Sequence, residues 1–412
     1  MISCKPEDML AWLKPGQRVY VQGGPGECRT FIDLLKCNPG SAKGVEIWSC
    51  LIPGINTFDY GALPDGADLV TFMASASLEP SIESGRTRIH AMPYSEIGAL
   101  LSRTEFDLAI LHVAPPNASG RCSFSIACDA PGIVWPRSAK RIAFVNRSMP
   151  RIPRSESIPL DQLDLAVEID VPLLSLDPRN SRSETLAALA RNAANLIPDG
   201  AVIQSGIGEA PGAIIAQLAG HRRLRVHSGI ITADYRALAE AGALDLNTEH
   251  VAGIAWGDAD FYEWLGRSDV FSFKSILETH DRARLTALPN FFSIGSALEV
   301  DLTGAINLEW RGQRRISSVG GAPDYIHGAT ASPGGLAIIA LPATAANGAS
   351  RIVRRLANPS LTPDASAIAT EYGAVRLDCL SEDERTAALV GLAAPQHRAA
   401  LAQFTGEARS QG

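Results

Sequence analysis

One pattern constrains this chain more than any other, because it appears near the start of each half: a strand that stops in glycines and restarts as a helix. Arg18 to Val21 reads as a strand and ends in Gly23-Gly24-Pro25-Gly26, ahead of a helical stretch from Cys28 to Leu35. Ala201 to Gln204 repeats the arrangement. It ends in Gly206-Ile207-Gly208-Glu209-Ala210-Pro211, ahead of a helix from Gly212 to Leu218. Such strand–loop–helix units build parallel sheets. Glycine serves the loop because it reaches left-handed backbone angles and has no Cβ to hold a neighbour away. Ligands of open parallel sheets bind beyond the carboxyl ends of the strands. Here those ends are Gly23, Gly206, His227 and Gly320.

The intervening pattern agrees. Val45 to Leu51, Ala67 to Phe72, Leu108 to Val113, Arg141 to Val145 and Leu163 to Ile169 are short apolar strands, and Ile97 to Leu101 is helical. A Pro- and Arg-rich link from Val171 to Ser183 separates the halves. Beyond it, Glu184 to Leu196 is an amphipathic helix. Leu224 to Val226 is a strand ending at His227-Ser228-Gly229, and Tyr235 to Ala241 is a helix. Ile294 to Leu302 and Leu336 to Leu341 are strands. At 412 residues the chain is too long for one ordinary core. The expectation is two α/β domains with mainly parallel sheets, over 1–180 and 184–412.

Composition narrows the function. A net charge of −7 argues against a nucleic-acid or anionic-membrane footprint. Cys4, Cys28, Cys37, Cys50, Cys122, Cys128 and Cys379 form no CxxC pair and no zinc spacing with histidine, so no metal is expected. No export leader is evident, and no apolar run reaches the ~18 residues a membrane span needs, so a cytoplasmic enzyme with reduced thiols is expected. The pair Gly320-Gly321 can bring backbone N–H groups up to a phosphate or a developing oxyanion.

Seven stretches together resemble the acetyl-CoA hydrolase/transferase family, the class I CoA-transferases that include 4-hydroxybutyrate CoA-transferase-like proteins. APPNASGRCSFSIACD and VNRSMPRI are similar to its SPPD-x-x-G and VN-x-x-MPR patterns. VIQSGIGEAPGAIIAQL and FFSIGSALEVDLTG are similar to its LQ-x-GIGAIPDAVL and SINSALEVDLTGQ. SVGGAPDYIHGATASPGG, IIALPATAANGASRIV and ATEYGAVRL are similar to its GVGGQ-x-DF-x-RGA, IALPSTA-x-x-G-x-SRIV and VTEYGVADL. The resemblance covers nearly the whole chain. It implies two NagB/RpiA-like domains with the active site between them. It also implies a homodimer, coenzyme A as the substrate thioester, and a small carboxylic acid as partner. Its chemistry would run through a glutamate that forms a covalent thioester with CoA. The implied binding positions are Gly206, Gly208, Ser228, Glu299, Gly320, Gly321, Asp324 and Glu371.

The sequence departs from that pattern where the chemistry sits. Gly229 stands at the position of the nucleophilic glutamate, and Gly295 at that of the asparagine in INSALEVD. Ala305 and Ala322 replace two glutamines, and the two glycines are expected to enlarge the cavity. Three explanations stay open. Glu209, beside the same strand ends, can stand in as the carboxylate, or can simply complement its helix N-terminus. Alternatively, the emptied position admits water or a bulkier acceptor, with His227 or Asp234 as base. His227 is equally readable as a buried strand residue. Finally, the chain can bind acyl-CoA without turning it over.

The remaining polar residues have plainer readings beside the functional ones. Glu299 and Asp301 share one strand face, lining a pocket or facing solvent. Glu371 is a site residue or a capping acid, and Asp324 fixes its loop by local hydrogen bonds. Cys28, at a helix start, is a candidate thiol nucleophile or a buried cysteine. Glu249-His250 and Glu278-His280-Asp281 mix metal-ligand types without ligand geometry and are expected to be surface charge.

Overall fold

The computed structural model describes residues 5–176, 183–361 and 367–409, so residues 177–182 of the expected interdomain link lie outside the described residues. The chain divides into two compact units. The first takes Met1–Pro178 with His250–Thr279 and Ile316–Gly320, and the second takes Arg179–Glu249, His280–Arg315 and Gly321–Gly412. The sequence reading assigns both late segments to the second half. No composition change marks where the chain returns.

In the first unit seven strands form one sheet: Thr87–Ile89, Asp68–Thr71, Glu46–Trp48, Arg18–Val21, Phe106–Val113, Ser138–Asn146 and Leu165–Ile169, in spatial order. Every pairing is parallel. The central strand Phe106–Val113 is buried at all but one position, as a strand covered on both faces must be. Its core joins Val19, Ile47, Leu69, Leu108, Ile110 and Phe144.

In the second unit Arg225–Ile231, Val202–Ser205, Phe291–Gly295, Leu336–Ala340 and Ala367–Thr370 run parallel in that order, and Gly373–Arg376 closes the edge as a hairpin. Strand Leu336–Ala340 is buried throughout. Helices Glu209–Gln217, Ala233–Glu240 and Ala322–Ala331 lie among these strands, the first of them as the glycine punctuation predicts. Among the described residues no helix is long and apolar enough to cross a membrane.

Two expected strands change shape. Ile294 to Leu302 is two strands: Phe291–Gly295 stays in the main sheet, while Glu299–Asp301 pairs with Ile306–Asn307 and Ile352–Val353. Gly295-Ser296 breaks the run, because glycine has no side chain to hold it in the sheet. The strand from Arg225 does not end at His227. It continues to Ile231, which puts Gly229 inside a strand.

Candidate active site

Three glycines line up across the strand ends of the second unit. Val202 pairs with Arg225 and Ile203 with Val226, while Ser205 pairs with Ile294. Extended along the same strands, this register sets Gly229 beside Gly206 and Gly206 beside Gly295. Gly206 N–H donates to Ile294 O at 2.9 Å, which ties two strand ends together. The row is further pinned by Ser228, fully buried, whose hydroxyl donates to Ile230 O at 2.6 Å. Tyr235 Oη donates to Ser205 Oγ at 2.9 Å. A floor without side chains lets a ligand approach the backbone closely.

The space above Gly229 is not empty. A Cβ there would lie 2.7 Å from His280 Cε1, 3.0 Å from His280 Nε2 and 2.8 Å from Tyr325 Oη. At Gly321 it would meet His280 Nε2 at 2.6 Å and Tyr325 Cε2 at 3.1 Å. At Gly295 it would come 3.1 Å from Ile339 Cδ1. The expectation that these glycines widen a cavity is therefore corrected: His280 and Tyr325 fill the volume beside Gly229. Their rings lie 4.6 Å apart, and both side chains are buried.

His280 is held there by its neighbours. Arg282 Nε donates to Asp324 Oδ1 at 2.7 Å, and Asp324 is fully buried. This ion pair clamps the segment carrying His280 to the helix carrying Tyr325. Asp281 reinforces it by accepting from Arg284 N at 2.9 Å, capping the helix Arg282–Ala287. Burial, then the neighbouring His227, pushes the His280 imidazole down to about 3, so it is neutral at physiological pH. This packing corrects the surface-charge reading of His280, and gives Asp324, read as a local loop anchor, a partner 42 positions away.

The other expected residues separate into roles. Glu209 is exposed at the first position of the helix Glu209–Gln217, where the helix dipole favours an acid. Glu209→Gln is expected to leave turnover within about twofold, because removing a helix-end charge costs only ~0.3–1 kcal/mol of helix stability. Steady-state rates with any accepted thioester check this. Gly208, at φ 136, caps the same helix in a conformation other residues rarely adopt. His227 is buried beside His280. Asp234 accepts from Thr232 Oγ1 at 2.9 Å, and burial raises its carboxyl above the usual range.

Glu299 accepts from Asn307 Nδ2 at 2.9 Å across its strand pair. Asp301 accepts from Thr303 N at 2.9 Å and Leu356 N at 3.1 Å, a structural turn acid and not a solvated one. Glu371 accepts from Ala343 N at 2.8 Å, tying the hairpin to the loop after Leu336–Ala340. Gly320, at φ 57, belongs to the first unit, where its carbonyl accepts from Tyr94 N at 3.2 Å. Cys28 is buried, and burial pushes its thiol up to about 12, which favours the plain reading of a buried cysteine. Glu249 is exposed as expected, but the surface-charge reading is corrected for His250, which is buried with its ring 5.9 Å from that of Phe271.

Sequence reasoning missed His280, Tyr325 and Arg282 as partners of Gly229. The available signal was Gly229 itself, since a glycine inside an otherwise matching strand implies that some other side chain takes its space.

Two open α/β units with mainly parallel sheets place the chain among solved structures of the CoA-transferase fold. The structure of RipA from Yersinia pestis is similar with a TM-score of 0.90 at 27% identity, over 98% of this chain and 97% of that one. That of 4-hydroxybutyrate CoA-transferase from Porphyromonas gingivalis is similar with a TM-score of 0.82 at 25% identity, over 100% and 98%. The chain is 29% identical over 408 residues to 4-hydroxybutyrate coenzyme A transferase of Clostridium kluyveri, covering 96% of this chain and 95% of that one. It is 30% identical over 311 residues to butyryl-CoA:acetate CoA-transferase of Anaerostipes caccae, covering 71% and 70%. Residues 257–404 match the acetyl-CoA hydrolase/transferase C-terminal domain. The chain belongs to the acetyl-CoA hydrolase/transferase family.

Proposed function

We propose that this protein moves CoA between carboxylic acids, and does so without a covalent link to a side chain at position 229. The similarity to named CoA-transferases supports the reaction class. The observation that carries the variant route is the filling of the Gly229 position by His280 and Tyr325. The substrates are an acyl-CoA and a small carboxylic acid, and the reading brings with it a cytoplasmic homodimer. The six described cysteines form no disulfide with one another.

Without an enzyme carboxylate, both substrates must be bound together. The acceptor carboxylate attacks the thioester carbonyl, forming a C–O bond and pushing the π pair onto oxygen. Collapse breaks the C–S bond and leaves a mixed anhydride with CoA thiolate. The thiolate then attacks the acceptor's carbonyl, and the donor acid departs with the bridging oxygen. Holding both partners in one site supplies the proximity this route needs.

The test is a panel of acyl-CoAs, each incubated with and without a panel of free carboxylates and followed by mass spectrometry. New acyl-CoA that appears only with an added acid supports transfer. Free CoA released without an acid makes the protein a hydrolase and overturns the reading, and CoA binding without turnover makes it a binder. For any active pair, initial-rate plots are expected to intersect, as for a ternary complex. Parallel lines would contradict the direct route.

A further inference from the structure

The side chain that has taken the space beside Gly229 is polar, neutral and aimed between two glycines. Gly229 and Gly321 flank the His280 ring, each so close that a methyl group on either would collide with it. Both glycines are partly exposed, whereas the imidazole between them is 4% exposed, and neither glycine has a side chain to cover the ring edge it faces. A histidine kept only to fill a core has no need of two glycines around its nitrogen edge, since an apolar side chain fills such space without the cost of desolvating imidazole. Tyr325 backs the ring, and the Arg282–Asp324 ion pair fixes the segment that delivers it.

We propose that His280 is a catalytic residue: it donates a ring N–H to the carbonyl oxygen of the thioester as negative charge develops there. This rests on the reading that the site processes CoA thioesters. In the addition step the attacking oxygen bonds to the carbonyl carbon, the π pair moves to the carbonyl oxygen, and the imidazole N–H hydrogen-bonds that oxyanion. On collapse the C–S bond breaks and the donor is released unchanged. No proton is transferred, which suits an imidazole that burial keeps neutral. A preorganised donor at a developing oxyanion accelerates acyl transfer about 10²–10³-fold.

The experiment is steady-state kinetics on His280→Ala and His280→Gln, with the acyl-CoA and acid that the wild-type protein accepts. His280→Ala is expected to lower kcat ~10²–10³-fold with KM for acyl-CoA little changed. His280→Gln keeps an N–H donor and is expected to recover at least about tenfold of that loss. Circular dichroism and CoA binding accompany both variants. If His280→Ala does not fold, the glutamine variant compared with His280→Leu, also neutral but without a donor, gives the same reading.

Wild-type kcat in a folded His280→Ala protein overturns the proposal while the thioester reading stands. A glutamine variant no better than the variant without a donor overturns it too, because a merely structural role would not depend on an N–H. A wild-type protein inactive on every thioester overturns the reading and this proposal together.

Discussion

Placing a glutamate at position 229 is expected to damage the protein and leave it without a covalent thioester. The Gly229→Glu side chain would start 2.7 Å from His280 Cε1 and 2.8 Å from Tyr325 Oη. Those atoms end long side chains, but the Arg282–Asp324 pair and the capped helix behind them leave little freedom to withdraw. Overpacking of this kind costs ~1–3 kcal/mol, and burying a carboxylate beside aromatic rings adds to it. A loss of ~3 kcal/mol is therefore expected in chemical denaturation, with no CoA adduct in the intact mass after incubation with an acyl-CoA. His280→Ala removes one side of the clash, so Gly229→Glu should cost at least ~1 kcal/mol less in that background. Additive effects of the two changes would show that the ring and position 229 are not in contact.

The second large effect concerns pH. Burial raises the Glu27 carboxyl to about 7, against hydrogen bonds from Asn56 and Tyr60 that lower it. Burial likewise raises Asp129 to about 7. A carboxyl whose folded value lies above its unfolded value contributes stability that is fully present below the unfolded value, near 4. That contribution is lost as pH rises to about 7, and each such shift is worth ~3 kcal/mol. His112 and His280 act in the opposite sense. Burial lowers them to about 4 and about 3, so their contribution is present above ~6.5 and lost on acidification. The two trends overlap and oppose each other in the wild-type chain.

Substitution separates them. Glu27→Gln and Asp129→Asn are each expected to gain ~3 kcal/mol over wild type at pH 8 and nothing at pH 4. Denaturant titrations at the two pH values check this. An equal gain at both would mean that folding does not raise these carboxyls above their unfolded values.

What the sequence disclosed follows from which interactions are local. Strand Arg18–Val21, its glycine turn and helix Arg29–Cys37 were legible because apolar periodicity and glycine conformational preference act within a few residues. Strand Leu336–Ala340 was legible for the same reason, since a strand covered on both faces is apolar throughout. Gly229 was legible as a departure from a pattern, but what replaces its side chain was not. His280 and Tyr325 reach it from distant parts of the chain, and His280 sits among Glu278 and Asp281, so the local composition reads as solvent-facing. That Glu209 is exposed at its helix start was not legible for a comparable reason: proximity in sequence to the strand ends does not fix which way a helix-start residue faces. The return of His250–Thr279 to the first unit was illegible because strands and helices of either unit have the same composition.

The central claim is that no enzyme carboxylate intervenes, and oxygen tracing tests it directly. An acceptor acid carrying ¹⁸O in both carboxylate positions is mixed with unlabelled acyl-CoA and an excess of protein for a single turnover. The released donor acid is then weighed by mass spectrometry. Direct attack predicts one ¹⁸O atom in that acid, passed on through the anhydride bridge. An unlabelled donor acid, with ¹⁸O left in the protein, would mean that a carboxylate of the enzyme does form the thioester and would contradict the account.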